Sequence, residues 1–121
     1  MTETYFFDTY AFFEIIYGNP KYSKYKEAEA MTTIFNLAEL SYGLKKEIDS
    51  KVADNFIEKY KHFLVEVKIE DLKEASNLKR KYKELSLPDV IGYVVAKRCG
   101  VKFLTGDEGF RNLENVEFVK K

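Results

Sequence analysis

The 121-residue sequence has no tryptophan, two prolines, one cysteine (Cys99) and one histidine (His62). A single cysteine excludes a disulfide within the chain and any thiolate-rich metal site. A lone histidine excludes a His-rich zinc site, and it leaves no Ser-His-Asp set for nucleophilic catalysis. Any metal must therefore be a hard ion held by oxygen ligands. Net charge is also missing: twenty basic side chains cancel twenty acidic ones. The molecule as a whole has no strong field to draw in a polyanion, so a nucleic-acid partner would need a local basic surface. No stretch approaches the ~20 apolar residues of a transmembrane helix. The opening MTETYFFDTY is acidic and lacks the basic and apolar regions of a signal peptide. A cytoplasmic protein with no membrane partner is expected. The six glycines never form a phosphate-cradling run.

What is present is aromatic and charged. Ten Phe and nine Tyr contribute to a 45% hydrophobic composition, with 33% charged residues. This is the profile of a globular chain, and its length suits one compact domain over residues 1–121.

Strand-like and helix-like patterns alternate along the chain. ETYFF, residues 3–7, reads as a short strand ended by Asp8. Helical spacing follows to Tyr17, stopped by Gly18-Asn19-Pro20, and a polar helix is predicted over 21–28. Residues 31–33 form a short strand. A helix over 34–46 places Phe35, Ala38 and Tyr42 on one apolar stripe. Another helix covers 50–62, and FLVEVKI, residues 63–69, alternates like a strand. A long helix spans 70–85. The next carries Pro88 in its first turn and is closed by Gly100. VKFLT, residues 101–105, is the clearest strand, and 116–119 supplies the last. The expected fold is α/β: a three-layer α/β/α sandwich around a five-stranded parallel sheet, with right-handed crossovers. Ligands in such folds sit beyond the carboxyl ends of the strands, where strand order reverses.

Three acids belong at that edge. Asp8 directly follows the first strand, and Asp107 lies just beyond VKFLT. Asp89 opens a helix that runs back antiparallel to VKFLT, which returns it to the same edge. Glu39 is the odd one, set between Leu37, Ala38 and Leu40. A carboxylate on an apolar stripe is costly unless paired, protonated or bound to a metal. Each acid also has a plain structural reading. Asp8 suits a helix N-cap, Asp89 the positive end of a helix dipole, Asp107 a turn between glycines, and Glu39 a stripe edge.

The motifs resemble the PIN-domain family. Asp8-Thr9 follows the first strand, and Glu39 lies in NLAELSYG ahead of Gly43. LPDVIGYVVAKRCG carries Asp89, and LTGDEGF carries Thr105, Asp107 and Phe110. Order and spacing agree over nearly the whole chain. Two departures are Val90, where alanine is common, and Tyr10, where a small polar residue is common; the bulk of Tyr10 implies either crowding of the metal site or limited substrate approach. Neither removes a carboxylate. The resemblance implies a Mg²⁺- or Mn²⁺-dependent endoribonuclease, with Asp8, Glu39, Asp89 and Asp107 around the metal and Thr105 hydrogen-bonded within the cluster. Short single-domain members of the VapC type are toxins of toxin–antitoxin pairs. The resemblance thus also implies an RNA substrate, a cognate antitoxin and a homodimer.

RNA would need cations near those acids. Lys79, Arg80, Lys81 and Lys83 in LKRKYKE are candidates, as are Lys45-Lys46 and Lys97-Arg98. Tyr22 and Tyr25, among Lys21, Lys24 and Lys26, either stack on bases or pack against the domain. Three other functions compete: a PIN fold that binds RNA or protein without cutting, a nuclease directed at DNA, whose metal chemistry is the same, and a phospho-receiver-like signalling domain. The receiver scheme needs an acceptor after a third strand, for which only Glu70-Asp71 after FLVEVKI offer themselves.

Overall fold

The computed structural model describes residues 3–121. Its sheet contains β1 (Thr4–Phe7), β2 (Glu29–Met31), β3 (Lys102–Thr105) and β4 (Val116–Phe118), all parallel, in the order β2-β1-β3-β4. The chain builds outward from β1 to β2, then crosses to β3 and β4 on the other side. The order therefore reverses between β1 and β3, the switch point where a ligand crevice opens. Phe6 is in register with Met31 on one side and Phe103 on the other. The ladder continues one step past β1, where the Asp8 amide donates to the Leu104 carbonyl at 3.3 Å.

Helices cover both faces. α1 (Thr9–Ile16), α2 (Ile34–Glu47) and α3 (Ser50–Tyr60) pack with Tyr5, Phe7 and Leu104. α4 (Ile69–Lys81) and α5 (Leu87–Arg98) pack with Phe6 and Phe103. Alternate residues of β1 and β3 thus feed opposite cores, as the two-residue strand period requires. α5 is the most enclosed helix: every residue from Asp89 to Ala96 is buried. Gly100, at φ 72°, ends its run. Among the described residues, no helix is long and apolar enough to cross a membrane.

The sheet has four strands where five are expected. FLVEVKI does alternate, and Val65 and Val67 pack against the α4–α5 core. Yet β2 stops at Met31 and α2 begins at Ile34, so only Thr32 is left to pair. The result is a single parallel bridge, Thr32 to Leu64. Without that strand, the receiver-like alternative loses its acceptor. Asp71 is already clamped by Arg98, which donates from Nε and Nη2 at 2.9 Å. This pair, with the Asp71 carboxylate also accepting from the Lys68 amide, ties the start of α4 to the end of α5.

Two further expectations change. Residues Pro20–Glu27 form a 3₁₀ helix, and Tyr22 and Tyr25 point inward from it. Their hydroxyls donate to the Val119 carbonyl and the Glu117 carboxylate, both at 2.6 Å. Both rings belong to the core and neither is free to stack on a base. On α2 the buried stripe is Asn36, Leu37, Leu40 and Leu44, while Phe35, Ala38 and Tyr42 face outward. Both stripes have helical spacing, and periodicity alone does not say which one meets the sheet.

α5 presses Gly92 onto the sheet and α2. A β-carbon there would sit 2.7 Å from the Phe6 ring and 2.9 Å from Asn36 Oδ1. Gly92→Ala should therefore destabilise the fold by about 1–3 kcal/mol through overpacking. The clash outweighs the roughly 1 kcal/mol gained in helix propensity. A urea midpoint that stays put or rises would show this contact to be looser than drawn.

Candidate metal centre

Four elements bring carboxylates to the switch point. Asp8 leaves β1 and caps α1, its Oδ1 accepting from the Ala11 amide at 2.8 Å. Asp89 sits in the first turn of α5, whose N-cap Ser86 accepts from the Asp89 amide at 3.2 Å. Asp107 follows β3 and accepts from the Gly109 amide at 2.9 Å, while its own amide donates to the Thr105 hydroxyl at 3.0 Å. Glu39 lies half-buried on the second turn of α2.

Their charges interact. Burial, then the Asp89 carboxylate, pushes Asp8 well above the usual carboxylate range; Thr105 and the Ala11 amide pull the other way, and Asp107 adds to the rise. Burial, then Glu39 and Asp107, raises Asp89 to about 7. Thr105 is fully buried between Leu104 and the Asp107 turn. The plain structural readings are thus correct as far as they go. The N-cap occupies one oxygen of Asp8, and Asp107 does serve a turn. None of this accounts for the remaining oxygens. Among the described residues, Asp8 Oδ2 and Asp89 Oδ1 are buried with no hydrogen-bond partner.

An unpaired buried carboxylate oxygen is expensive, and two facing one crevice more so. A hard divalent cation fits this donor set, because it would satisfy both orphaned oxygens and relieve their repulsion. Among the described residues no three His, Cys, Asp or Glu side chains close on one ion-sized point. The site suits an ion held by one or two carboxylates that keeps water and accepts phosphate oxygens, the habit of Mg²⁺.

The PIN domain family model matches residues 5–116. This chain belongs to the PIN-domain family. No curated protein matches it in sequence. Its fold is shared with toxin structures. VapC20 of Mycobacterium tuberculosis, described as a sarcin-ricin loop cleaving toxin, superposes with a TM-score of 0.78 at 15% identity, covering 96% of this chain and 98% of that one. A toxin–antitoxin complex from Klebsiella pneumoniae gives 0.73 at 20% identity, covering 97% and 99%. DNA-bound VapBC from Salmonella typhimurium gives 0.70 at 15%, covering 99% and 98%.

Two features of this PIN domain differ from the sequence reading: one residue it passed over, and one it noted only as bulk near the metal site. Asn36 is fully buried, and its Nδ2 has no partner while Oδ1 accepts from the Thr33 hydroxyl at 2.8 Å. The signal was available: Asn36 is the one polar side chain on the buried stripe of α2, one turn before Glu39. The second is Tyr10. Its ring lies against Gly106, where an added β-carbon would overlap it. Its hydroxyl accepts from the Lys121 amide at 3.1 Å. Tyr10 thus braces the Thr105–Asp107 turn and holds the tail, and its pairing with Gly106 involves residues far apart in sequence. Val90, the other departure, is fully buried in the α4–α5 core.

The buried acids predict a pH effect on the chelated protein. Because the folded pKa of Asp89 exceeds its ordinary 3.8, the unfolded chain gives up that proton more readily. Stability is then greatest below about pH 4 and falls as pH rises to about 7; the upward shift of Asp8 has the same sign. Thermal melts in chelator should drop by several degrees over that range, and Asp89→Asn should flatten the drop. A melting temperature that rises through this range would contradict the burial of these charges.

Proposed function

We propose that this PIN domain is a metal-dependent endoribonuclease that hydrolyses RNA phosphodiester bonds in the cytoplasm, as the toxin of a type II toxin–antitoxin pair. The observation that carries the reading is the pair of buried, unpartnered oxygens on Asp8 and Asp89 at the switch point. Such a cost is retained where a ligand offsets it. Family membership and a fold shared with proteins described as toxins support the same reading.

Asp8 and Asp89 are the first candidates to hold Mg²⁺ or Mn²⁺, with Asp107 and Glu39 completing the acidic shell. When bound, the ion would polarise the phosphodiester and acidify the attacking water. Glu39, half-buried, would orient that water. Thr105 fixes the Asp107 turn through the Asp107 amide. Asp8 keeps its rotamer because α1 holds its other oxygen. Pre-set ligands of this kind reduce the reorganisation needed during in-line displacement.

Two surfaces fit the expected partners. Ile34, Phe35 and Tyr42 on α2, and Leu87 at the start of α5, are exposed apolar residues at the acidic edge; Tyr42 is 70% exposed. A second copy of the chain would cover them. On the far side of α1, Phe12, Ile16, Tyr60 and Phe63 line a cavity of about 370 Å³ with Lys26 and Lys59 among its walls. An amphipathic antitoxin segment with acidic residues suits it.

Purified chain with Mg²⁺ or Mn²⁺ should cut RNA, and Asp8→Asn and Asp89→Asn should each lose at least about 100-fold in rate. Folded wild type that cuts none of a panel of structured and single-stranded RNAs would favour the non-cutting binding module. For the dimer, sedimentation should find two copies in wild type and one in Tyr42→Asp, which alters no buried contact. A monomeric wild type would remove the dimer from the proposal.

A further inference from the structure

Three basic runs compete to contact a polynucleotide, and packing separates them. Lys45 pairs with Asp54 at 3.1 Å, Lys97 with Glu114 at 2.9 Å, and Arg98 with Asp71 at 2.9 Å. Lys97 and Arg98 also lie at the C-terminal end of α5, away from Asp89. In contrast, Lys79, Arg80, Lys81 and Lys83 form no ion pair among the described residues. Arg80, Lys81 and Lys83 are exposed. The only carboxylate in this stretch is Glu84.

The Asp71–Arg98 clip fixes where those cations stand. It aligns the start of α4 with the end of α5, so the two helices run antiparallel from a common origin. Ten residues along α4 lead from Asp71 to Lys81, and nine back along α5 lead from Arg98 to Asp89. At ~1.5 Å per residue both paths cover ~14–15 Å. The basic end of α4 therefore stands level with Asp89, one helix diameter away, on the order of 10 Å.

An independent contact agrees. Leu85, two residues past Lys83, is buried against Gly109; a β-carbon on Gly109 would overlap the Leu85 side chain and lie 3.4 Å from Asp107 Oδ1. The segment joining α4 to α5 thus rests on the Asp107 turn. Lys79 Nζ donates to the Lys83 carbonyl at 2.8 Å, closing the helix end and fixing the path of the basic segment.

We propose that Lys79, Arg80, Lys81 and Lys83 form a phosphate track that guides a single-stranded RNA backbone into the carboxylate crevice. The inference rests on the nuclease reading above. It assigns polynucleotide binding to one flank of the site, the α4–α5 corner, and leaves the cutting to the acids. The track is assigned to phosphates, and contacts of that kind contribute affinity and not sequence choice.

The test uses a fluorescein-labelled single-stranded RNA of mixed sequence, with binding followed by anisotropy across a salt series. Binding is measured with Asp89→Asn protein so that the probe survives, and cleavage with the wild-type site. Arg80→Gln, Lys81→Gln and Lys83→Gln are combined. The control combines Lys51→Gln, Lys61→Gln and Lys102→Gln, an equal charge change on exposed residues away from this corner. Each lost single-strand phosphate contact lowers the slope of log K against log salt by about 0.7. The track variant should lose a slope of about 2 and raise KM with little change in kcat, while the control keeps both. Equal losses in both variants, or none in either while the wild type still cuts RNA, would overturn the track and leave the nuclease reading standing. A wild type that neither binds nor cuts RNA would overturn both.

Discussion

The structure depends on negative charge held at the mouth of a parallel sheet without an internal partner. Asp8 and Asp89 are buried, burial and neighbouring carboxylates raise the proton affinity of each, and among the described residues each keeps one oxygen unpaired. A fold can carry such a cost only if its other contacts are over-determined. Here they are. Asp8 is pinned through its amide to β3 and through its carboxylate to α1. Asp89 is carried on a helix whose following residues are buried through Ala96. The aromatic excess is spent on that rigidity: Phe103 alone packs against the rings of Phe6, Tyr93 and Phe110.

Much of this was legible in the sequence, because it rests on local rules. A strand followed by an acid, a helix opened by Leu-Pro-Asp and closed by Gly, and a second strand ending in Thr-Gly-Asp each specify their own geometry. Parallel crossovers then place all three acids at one edge without further assumption. Glu39 was legible for a different reason, as a charge out of place in an apolar helix. Its neighbourhood was misread. The stripe of Phe35, Ala38 and Tyr42 is the outer one, and the polar Asn36 belongs inside.

The remaining misses have one cause: they concern pairings between distant residues. FLVEVKI has the alternation of a strand, but a strand needs a neighbour of matching length, and β2 offers a single residue. For Tyr22 and Tyr25, stacking on bases and packing against the domain were both open, and packing prevails because their hydroxyls find acceptors some ninety residues away near β4. Tyr10 makes sense only beside Gly106. Composition and period describe what a segment can do alone; which option is used is decided by what the fold places beside it.

Zero net charge first counted against a polyanionic substrate. The distribution of charge matters more than its sum, however, and under the proposed reading the α4–α5 pair is how a neutral chain would direct one. At the clipped end, Arg98 and Asp71 neutralise each other through hydrogen bonds and leave little field. At the other end, among the described residues, the cations of α4 find no carboxylate partner and the acids of the crevice find no cation. The two unneutralised sets adjoin without cancelling, because Leu85 and the Asp107 turn lie between them. A phosphodiester needs both: positive charge to bring its backbone close, and carboxylates to hold the divalent ion that makes the bond labile. Pairing those cations with the acids directly would relieve the buried charge and abolish the ion's place in the same step. Held one helix diameter apart, the two sets would each be preserved for the task proposed for it.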